Sequence, residues 1–425
     1  DIPWVDGEDR EDVEAAMRNY HDQDDSRESQ HNTALNQLRS PSVYRDRQPA
    51  KSLQIVTPTD GALYPPNLCA PFVEWDDPRN TLWMVTIHTA DGKDYSFTTD
   101  RKRWRIPATV WQSLCENPGN QSHVLQIRGI VQDEKGQRAG NVQASPEIRF
   151  QISGDPADGY IVYRLVDPPF SSLKTPNVFI RDIRKDEPDS FLSARRQYCL
   201  NCHTFSSKEG NQGKLAMQVR SLVMTMHKLP VYLAIYDMDQ RCGYKVQLPF
   251  EIQMTTFMAW SPDGNQLAYS ANQKIVAMKP IVFETQLAGM ATSDIAIYDV
   301  EKNETWLVPG ACDPNLLEIY PQWTPDGKTM VFSRSPVGLH PADIPFDLYS
   351  MPLDGHTPPV PQPIEGASGN GRSNYFPHFS PDRKWFSFCQ SDGGDLIRSS
   401  SNIFLKSGDL QGPANRLECN DDYSA

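Results

Sequence analysis

The stretch Trp260-Ser-Pro-Asp-Gly-Asn-Gln-Leu-Ala-Tyr-Ser270 decides the fold, because it returns twice. Trp323-Thr-Pro-Asp-Gly327 precedes Met330-Val-Phe-Ser333, and Phe379-Ser-Pro-Asp-Arg383 precedes Trp385-Phe-Ser-Phe388. Each copy is an aromatic residue, a Ser/Thr-Pro-Asp-Gly turn and an apolar strand, with Arg383 standing in for the glycine of the third turn. A second apolar strand follows each copy: Asp294–Tyr298, Asp347–Met351 and Asn402–Leu405. The copies begin 63 and then 56 residues apart. Self-similarity at such a period signals stacked or radial β units. A small antiparallel sheet cannot bury both of its faces alone. Closing several into a ring buries the faces and protects the edges, which is the propeller solution.

This repeat resembles that of the TolB-like β-propeller family. The resemblance covers residues 155–425 and is specific at the three copies; before residue 250 no clean copy is visible. It implies a propeller of about four or five blades in this stretch, against the six usual in that family. The segment Asn415–Ala425 reads as the lead-in to a further blade. The ring is therefore expected to be either truncated here or completed by another segment.

Upstream, residues 51–154 alternate with period two. Leu53-Gln-Ile-Val56, Trp83–His88, Tyr95-Ser-Phe97, Val124–Arg128 and Ile148–Ile152 are separated by turn signals such as Pro58-Thr-Asp-Gly61 and Ala90-Asp-Gly92. That pattern predicts an immunoglobulin-like or fibronectin-like β-sandwich, with Trp75, Trp83, Trp104 and Trp111 filling its core. Residues 1–50 are polar and charge-dense and predict an arm that wraps a neighbouring domain or partner, a bare disordered tail being the alternative. The expected fold class is thus all-β: sandwich, then propeller, with few long helices, as 35 prolines and 25 glycines in 425 residues also suggest.

The formal net charge is −13 and the isoelectric point about 5.2. Nucleic acid is excluded as a partner, because neutralising phosphates needs clustered Lys and Arg. No stretch approaches the apolar length of a membrane span. The chain begins at Asp1, from which a removed export signal is expected, and with it a periplasmic or extracellular location.

Chemistry enters at Arg195-Arg-Gln-Tyr-Cys199-Leu-Asn-Cys202-His203. Two thiols spaced C-x-x-C can each form a thioether to one vinyl group of the same haem, and the following histidine can then bind its iron. Cys199 and Cys202 are the expected attachment residues and His203 the proximal iron ligand, for one covalent haem c. A redox dithiol would call for a thioredoxin-like βαβ pattern, absent here. Zinc would call for a second Cys/His pair, and His227 with Cys242 is poorly spaced for it. The motif is expected in a polar insert around residues 185–230, with Leu215–His227 as a partly helical cover over one haem face.

The sixth ligand sets the function: Met raises the potential, His lowers it, and an open position permits catalysis. Met278 is the candidate distal ligand, since it follows the apolar run Ile275-Val-Ala277 and precedes Pro280, where a blade strand should end. His227, closing the apolar stretch after the motif, is the alternative. For both, ordinary packing is the competing reading, as it is for Met217, Met224, Met226, Met254 and Met258.

Six further cysteines remain, of which Cys69 and Cys115 form the expected disulfide pair; free buried thiols are the alternative. Gly366–Gly371 is a loop, and Asp392 with Asp395 belongs to a turn before it belongs to a calcium site. The sequence shows no phosphate loop, H-E-x-x-H or G-x-S-x-G. The favoured function is therefore an exported monohaem c-type cytochrome in electron transfer, serving a redox partner or a multisubunit complex. A haem enzyme with an open iron and a binding scaffold with a structural haem are the alternatives.

Overall fold

The computed structural model describes residues 52–420 apart from 117, 120, 133–137, 165–176, 194–197, 207–212, 222–230, 241, 247, 249–255, 278–288, 340–343, 354–358, 394–399 and 419. The N-terminal arm, Met278, His227 and Cys419 lie outside the described residues. Contacts divide the chain into two compact units.

The first unit takes in the described residues from 52 to 163 and those from 178 to 191. Its strands are β1 (Gln54–Thr57), β2 (Ala62–Tyr64), β3 (Phe72–Asp76), β4 (Leu82–His88), β5 (Asp94–Thr99), β6 (Arg103–Arg105), β7 (Ser122–Gln132), β8 (Arg138–Ala144) and β9 (Ile148–Ile152). One sheet runs β1-β3-β6; the other runs β2-β9-β7-β4-β5 with β8 beside β7. Alternation works as the period-two pattern requires: in β4 the side chains of Trp83, Val85 and Ile87 point into the core. Both sheets and the helix α1 (Ala108–Cys115) contribute to one core, in which Trp75, Trp83 and Trp111 are buried and Trp104 packs at the margin. Trp83 also donates to the buried carboxylate of Asp77 at 2.8 Å, and Trp111 to the carbonyl of Leu68 at 2.7 Å.

This unit extends past residue 154. A three-stranded sheet of β10 (Tyr160–Arg164), β11 (Asn177–Asp182) and β12 (Asp189–Ser193) groups with it. Cys69 N–H donates to the carbonyl of Ile183, and Arg105 pairs with Asp186. The expected Cys69–Cys115 disulfide is not formed: both are free thiols. The Cys69 sulfur instead faces two guanidinium groups, Nη2 of Arg105 at 3.7 Å and of Arg181 at 3.6 Å.

Among the described residues, the second unit takes in Arg164, Asn177 and those from Leu192 onward. Its described residues form four consecutive four-stranded antiparallel meanders, the second and third joined in one sheet by a parallel pairing at Ser293 and Leu317. These are β13 (Tyr198–Phe205), β14 (Lys214–Ser221), β15 (Val231–Asp237) and β16 (Cys242–Val246); β17 (Thr256–Trp260), β18 (Gln266–Ala277), β19 (Gly289–Asp299) and β20 (Glu304–Leu307); β21 (Leu316–Trp323), β22 (Thr329–Pro336), β23 (Asp347–Pro352) and β24 (Gln362–Pro363); and β25 (Ser373–Phe379), β26 (Trp385–Ser391), β27 (Asn402–Ser407) and β28 (Asn415–Arg416). The first strand of each meander packs against the first strand of the next, β13 on β17, β17 on β21 and β21 on β25. Successive sheets share buried cores, such as Trp260, Leu267 and Tyr269 with Leu233 and Ile235. This is propeller architecture, each meander a blade with its first strand innermost.

Two expectations about residues 185–230 are corrected. The C-x-x-C-H motif does not sit in a polar insert but on β13, the inner strand of the first blade. The stretch after it is not helical: Lys214–Ser221 is β14. Leu215, Ala216, Met217, Gln218 and Val219 are all buried, so this strand is covered on both faces and its sequence lacks the regular apolar–polar alternation of a half-exposed strand.

Candidate functional site

The turn chemistry explains why the blades share one register. In the second blade Ser261 Oγ donates to Asp263 Oδ1 at 2.5 Å and accepts from Gln266 N–H at 2.9 Å, while Gly264 takes φ +70°. Thr324, Asp326 and Gly327 repeat this in the third blade, and Ser380, Asp382 and Arg383 in the fourth, where Arg383 holds φ +65°. Ser206 of the first blade occupies the same place: its Oγ accepts from Lys214 N–H at 2.9 Å, and its N–H donates to the Lys214 carbonyl at 2.9 Å. The aromatic residue before each turn is thus Phe205, Trp260, Trp323 and Phe379. Two of these tie blade to blade: Trp260 Nε1 donates to the carbonyl of Thr204 at 3.2 Å, and Trp323 Nε1 to that of Ala259 at 3.1 Å.

Counting back from that aromatic residue places the motif. Every inner strand has a β-bulge at the same point: between Asn201 and Thr204, Thr256 and Ala259, Ile319 and Gln322, and Tyr375 and His378. Each bulge holds two residues, Cys202-His203 in the first blade and Phe257-Met258, Tyr320-Pro321 and Phe376-Pro377 in the others. Bulges break strand alternation, re-aim side chains and recur beside functional sites. Phe257, Tyr320 and Phe376 have φ of +54°, +60° and +54°. The left-handed region is costly for a bulky side chain, and finding it three times at one register position marks a constrained site. Their rings converge: Phe257 and Tyr320 centroids lie 4.3 Å apart, Tyr320 and Phe376 4.5 Å, and Phe257 and Phe376 6.0 Å. The Tyr320 N–H donates across blades to Ser270 Oγ at 3.3 Å.

By register, position 202 is the first-blade counterpart of Phe257, Tyr320 and Phe376. His203 beside it is half-buried and meets the ring of Phe205 edge-on, centroids 6.3 Å apart. Directly across the bulge, on β14, lies Met217, buried in the core slot that Tyr269, Phe332 and Phe388 fill in the other blades. The sequence marked Cys199, Cys202 and His203 but missed Phe257, Tyr320 and Phe376. An aromatic residue three places before the repeat's own aromatic was the signal that finds them.

The donor set fits covalent haem c in chemistry: two thiols at C-x-x-C spacing and an adjacent imidazole. The backbone bears on the fit too. In an unbroken strand positions 199 and 202 lie on opposite faces, roughly 10 Å apart along the chain. The bulge at 202–203 comes after that interval: Cys199, Leu200 and Asn201 keep regular pairing with Arg220, Val219 and Gln218, so the backbone between the two cysteines is extended and does not fit the attachment spacing as it stands.

Other candidates resolve into structure. Asp392 pairs with Arg372, and Asp395 lies outside the described residues. Gly366–Gly371 is a loop whose Gly369 N–H donates to Asp347 at 2.9 Å. Among the described residues no group of three or more His, Cys, Asp or Glu is placed to hold a metal ion, and none of their helices is long and apolar enough to cross a membrane. A different buried pair lies on β21 and β22: Arg334 Nη2 donates to Glu318 Oε1 at 2.8 Å and to the Gly310 carbonyl at 2.8 Å, and Asp313 N–H donates to Glu318 Oε2 at 3.0 Å. Burial pushes the Glu318 carboxyl up to about 7 against the pull of Arg334.

No protein family matches the chain's sequence, and no curated protein does. Among solved structures, the chain superposes in part on TolB from Acinetobacter baumannii (TM-score 0.41, 14% identity, 71% of this chain and 67% of that one). It does so also on a putative TolB from Agrobacterium tumefaciens (TM-score 0.40, 15% identity, 79% and 87%) and on Kuenenia stuttgartiensis hydrazine synthase (TM-score 0.35, 11% identity, 68% and 74%).

Proposed function

We propose that this chain is an exported c-type cytochrome, carrying one haem on Cys199 and Cys202 with His203 as the proximal iron ligand, and that it transfers electrons within a larger redox assembly. The observation that carries this reading is the C-x-x-C-H motif itself, whose last two residues lie at the inner-strand bulge of the first blade. When bound, such a haem supplies a one-electron Fe(III)/Fe(II) couple. The chain's own part is to spend two thiols as thioethers and to present a neutral imidazole nitrogen from His203. The Phe205 ring edge restricts how that imidazole can turn. Met278 is the first candidate for the distal position, from its place after the apolar run Ile275-Val-Ala277 in the sequence, and His227 is the second; both lie outside the described residues. Location outside the cytoplasm follows from the haem reading, because haem c is attached there, and a partner protein is needed to deliver or accept the electron.

The test is expression with a c-type haem maturation system, followed by haem staining of a denaturing gel and a reduced-minus-oxidised optical spectrum. Covalent haem in the wild type and its loss in Cys199→Ala/Cys202→Ala support the proposal. A low-spin spectrum indifferent to carbon monoxide supports the electron-transfer role. A high-spin spectrum that responds to carbon monoxide replaces that role with haem catalysis, and a colourless protein refutes the haem itself.

A further inference from the structure

The strand that carries the motif, β13, falls into two halves. Tyr198, Cys199, Leu200 and Asn201 pair in unbroken register with Ser221, Arg220, Val219 and Gln218; beyond the two-residue bulge, Thr204 and Phe205 pair with Ala216 and Leu215. The second half is anchored from outside the strand. Trp260 Nε1 of the second blade donates to the Thr204 carbonyl at 3.2 Å, and Ser206 and Lys214 bond each other twice at 2.9 Å. The first half is held by its pairing with β14 and by Leu200, which is 4% exposed and directly opposite the buried Val219.

That first half conflicts with any chemistry that joins the two cysteines locally. Extended backbone advances about 3.3 Å per residue, so position 202 begins roughly 10 Å from position 199. A disulfide needs Cα atoms about 4.4–6.8 Å apart. Two thioethers to one macrocycle, with the next residue's imidazole on its iron, likewise need the two sulfurs brought to one side. The paired strand and the closed motif are therefore mutually exclusive. We infer that residues 198–201 are a two-state segment: a strand of the first blade while Cys199 and Cys202 are free thiols, and released from β14 once the two sulfurs are joined to each other or to one haem. The bulge at 202–203 is the hinge, because it interrupts the ladder where the anchored half begins. Opening of this kind is local and leaves the remainder of the blade folded. The folded thiol form thus resists closure, and haem attachment has to precede the zipping of this half-strand or wait for it to open. The haem limb rests on the reading above; the disulfide limb does not.

Two measurements test this, and the first needs no haem. The haem-free chain is treated with diamide, which takes up the two thiol hydrogens as it is reduced to the hydrazine and leaves a disulfide. Peptide mass mapping follows the Cys199–Cys202 pair. In the native protein this pair is expected to close at least about tenfold more slowly than in urea, because closure waits for the strand to open. Leu200→Ala should recover about three- to tenfold of that difference, since burial of Leu200 opposes release. Ile319→Ala, also buried but on the inner strand of the third blade, should recover none and controls for general loss of stability. Equal closure rates in the native and unfolded chain overturn the inference. The second measurement is hydrogen exchange on haem-free and haem-bearing protein. Amides of residues 198–201 and 218–221 are expected to exchange at least about tenfold faster with haem attached, while those of Phe205, Ser206 and residues 214–216 keep their protection. Unchanged protection of residues 198–201 in a haem-bearing chain overturns the inference and leaves the haem assignment standing. A wild type that takes no haem refutes that assignment, and the diamide rates alone then decide whether the segment has two states.

Discussion

Replacing Arg383 by glycine should stabilise the propeller unit, and the size of the gain can be worked from the repeat. The third turn holds Arg383 at φ +65°, where its equivalents Gly264 and Gly327 sit at +70°. The surrounding hydrogen bonds are the same: Arg383 N–H donates to Ser380 O at 3.0 Å, as Gly327 N–H donates to Thr324 O at 2.8 Å. The left-handed conformation costs a residue with a Cβ about 1–2 kcal/mol. Glycine removes that cost but brings back about 0.5–1 kcal/mol of unfolded-chain entropy. Arg383 is exposed, so losing its side chain forfeits little packing. The net expectation for Arg383→Gly is a gain of about 0.5–1 kcal/mol. The reverse change, Gly327→Ala, should cost a similar amount or slightly more. Its new Cβ would meet the Pro262 ring, Cδ at 3.6 Å and Cγ at 3.9 Å, both ordinary contacts, so conformation and not crowding sets the loss. Urea unfolding followed by tryptophan fluorescence reads both as shifts in midpoint at constant slope. A destabilised Arg383→Gly, or a neutral Gly327→Ala, would refute the claim that this register position requires the left-handed region.

Arg334→Ala should destabilise by about 3–5 kcal/mol at pH 8, because it strands a fully buried Glu318 carboxylate. The loss should shrink toward pH 5: the carboxyl's folded-state value of about 7 lies above its unfolded one, so the native state holds the proton below that point. Unfolding midpoints at the two pH values check this. His123 in the sandwich is 4% exposed, and neither ring nitrogen has a partner. Burial holds its imidazole below the ordinary range, against the opposing pull of Asp91, so the unfolded chain takes up the proton first. Sandwich stability should therefore fall as pH drops below about 6.5, and His123→Phe should flatten that part of the profile. Trp323→Phe removes the blade-to-blade bond to the Ala259 carbonyl in a buried setting and should cost about 1–3 kcal/mol by the same urea assay.

Much of this protein is legible along the chain because its information is local. The W-S-P-D-G turns are sequence-local devices: a hydroxyl, a carboxylate and a residue with φ above zero close a hairpin within six positions, wherever that hairpin ends up. Period-two alternation likewise exposed the sandwich strands, whose solvent-facing side keeps its polar residues. The same logic explains what was misread. β14 is covered on both faces, so Leu215–Val219 lost the alternation that marks a strand. Tertiary structure alone showed that Ser206 closes a fourth copy of the turn, across an intervening segment too long for the short motif to survive. With that copy in register, position 202 corresponds to Phe257, Tyr320 and Phe376. The motif suggests haem attachment from the sequence alone, because thioether formation depends on spacing within five residues. Which residues share the inner bulges depends on how separate blades pack, and only that packing brings together residues as far apart along the chain as Phe257 and Phe376.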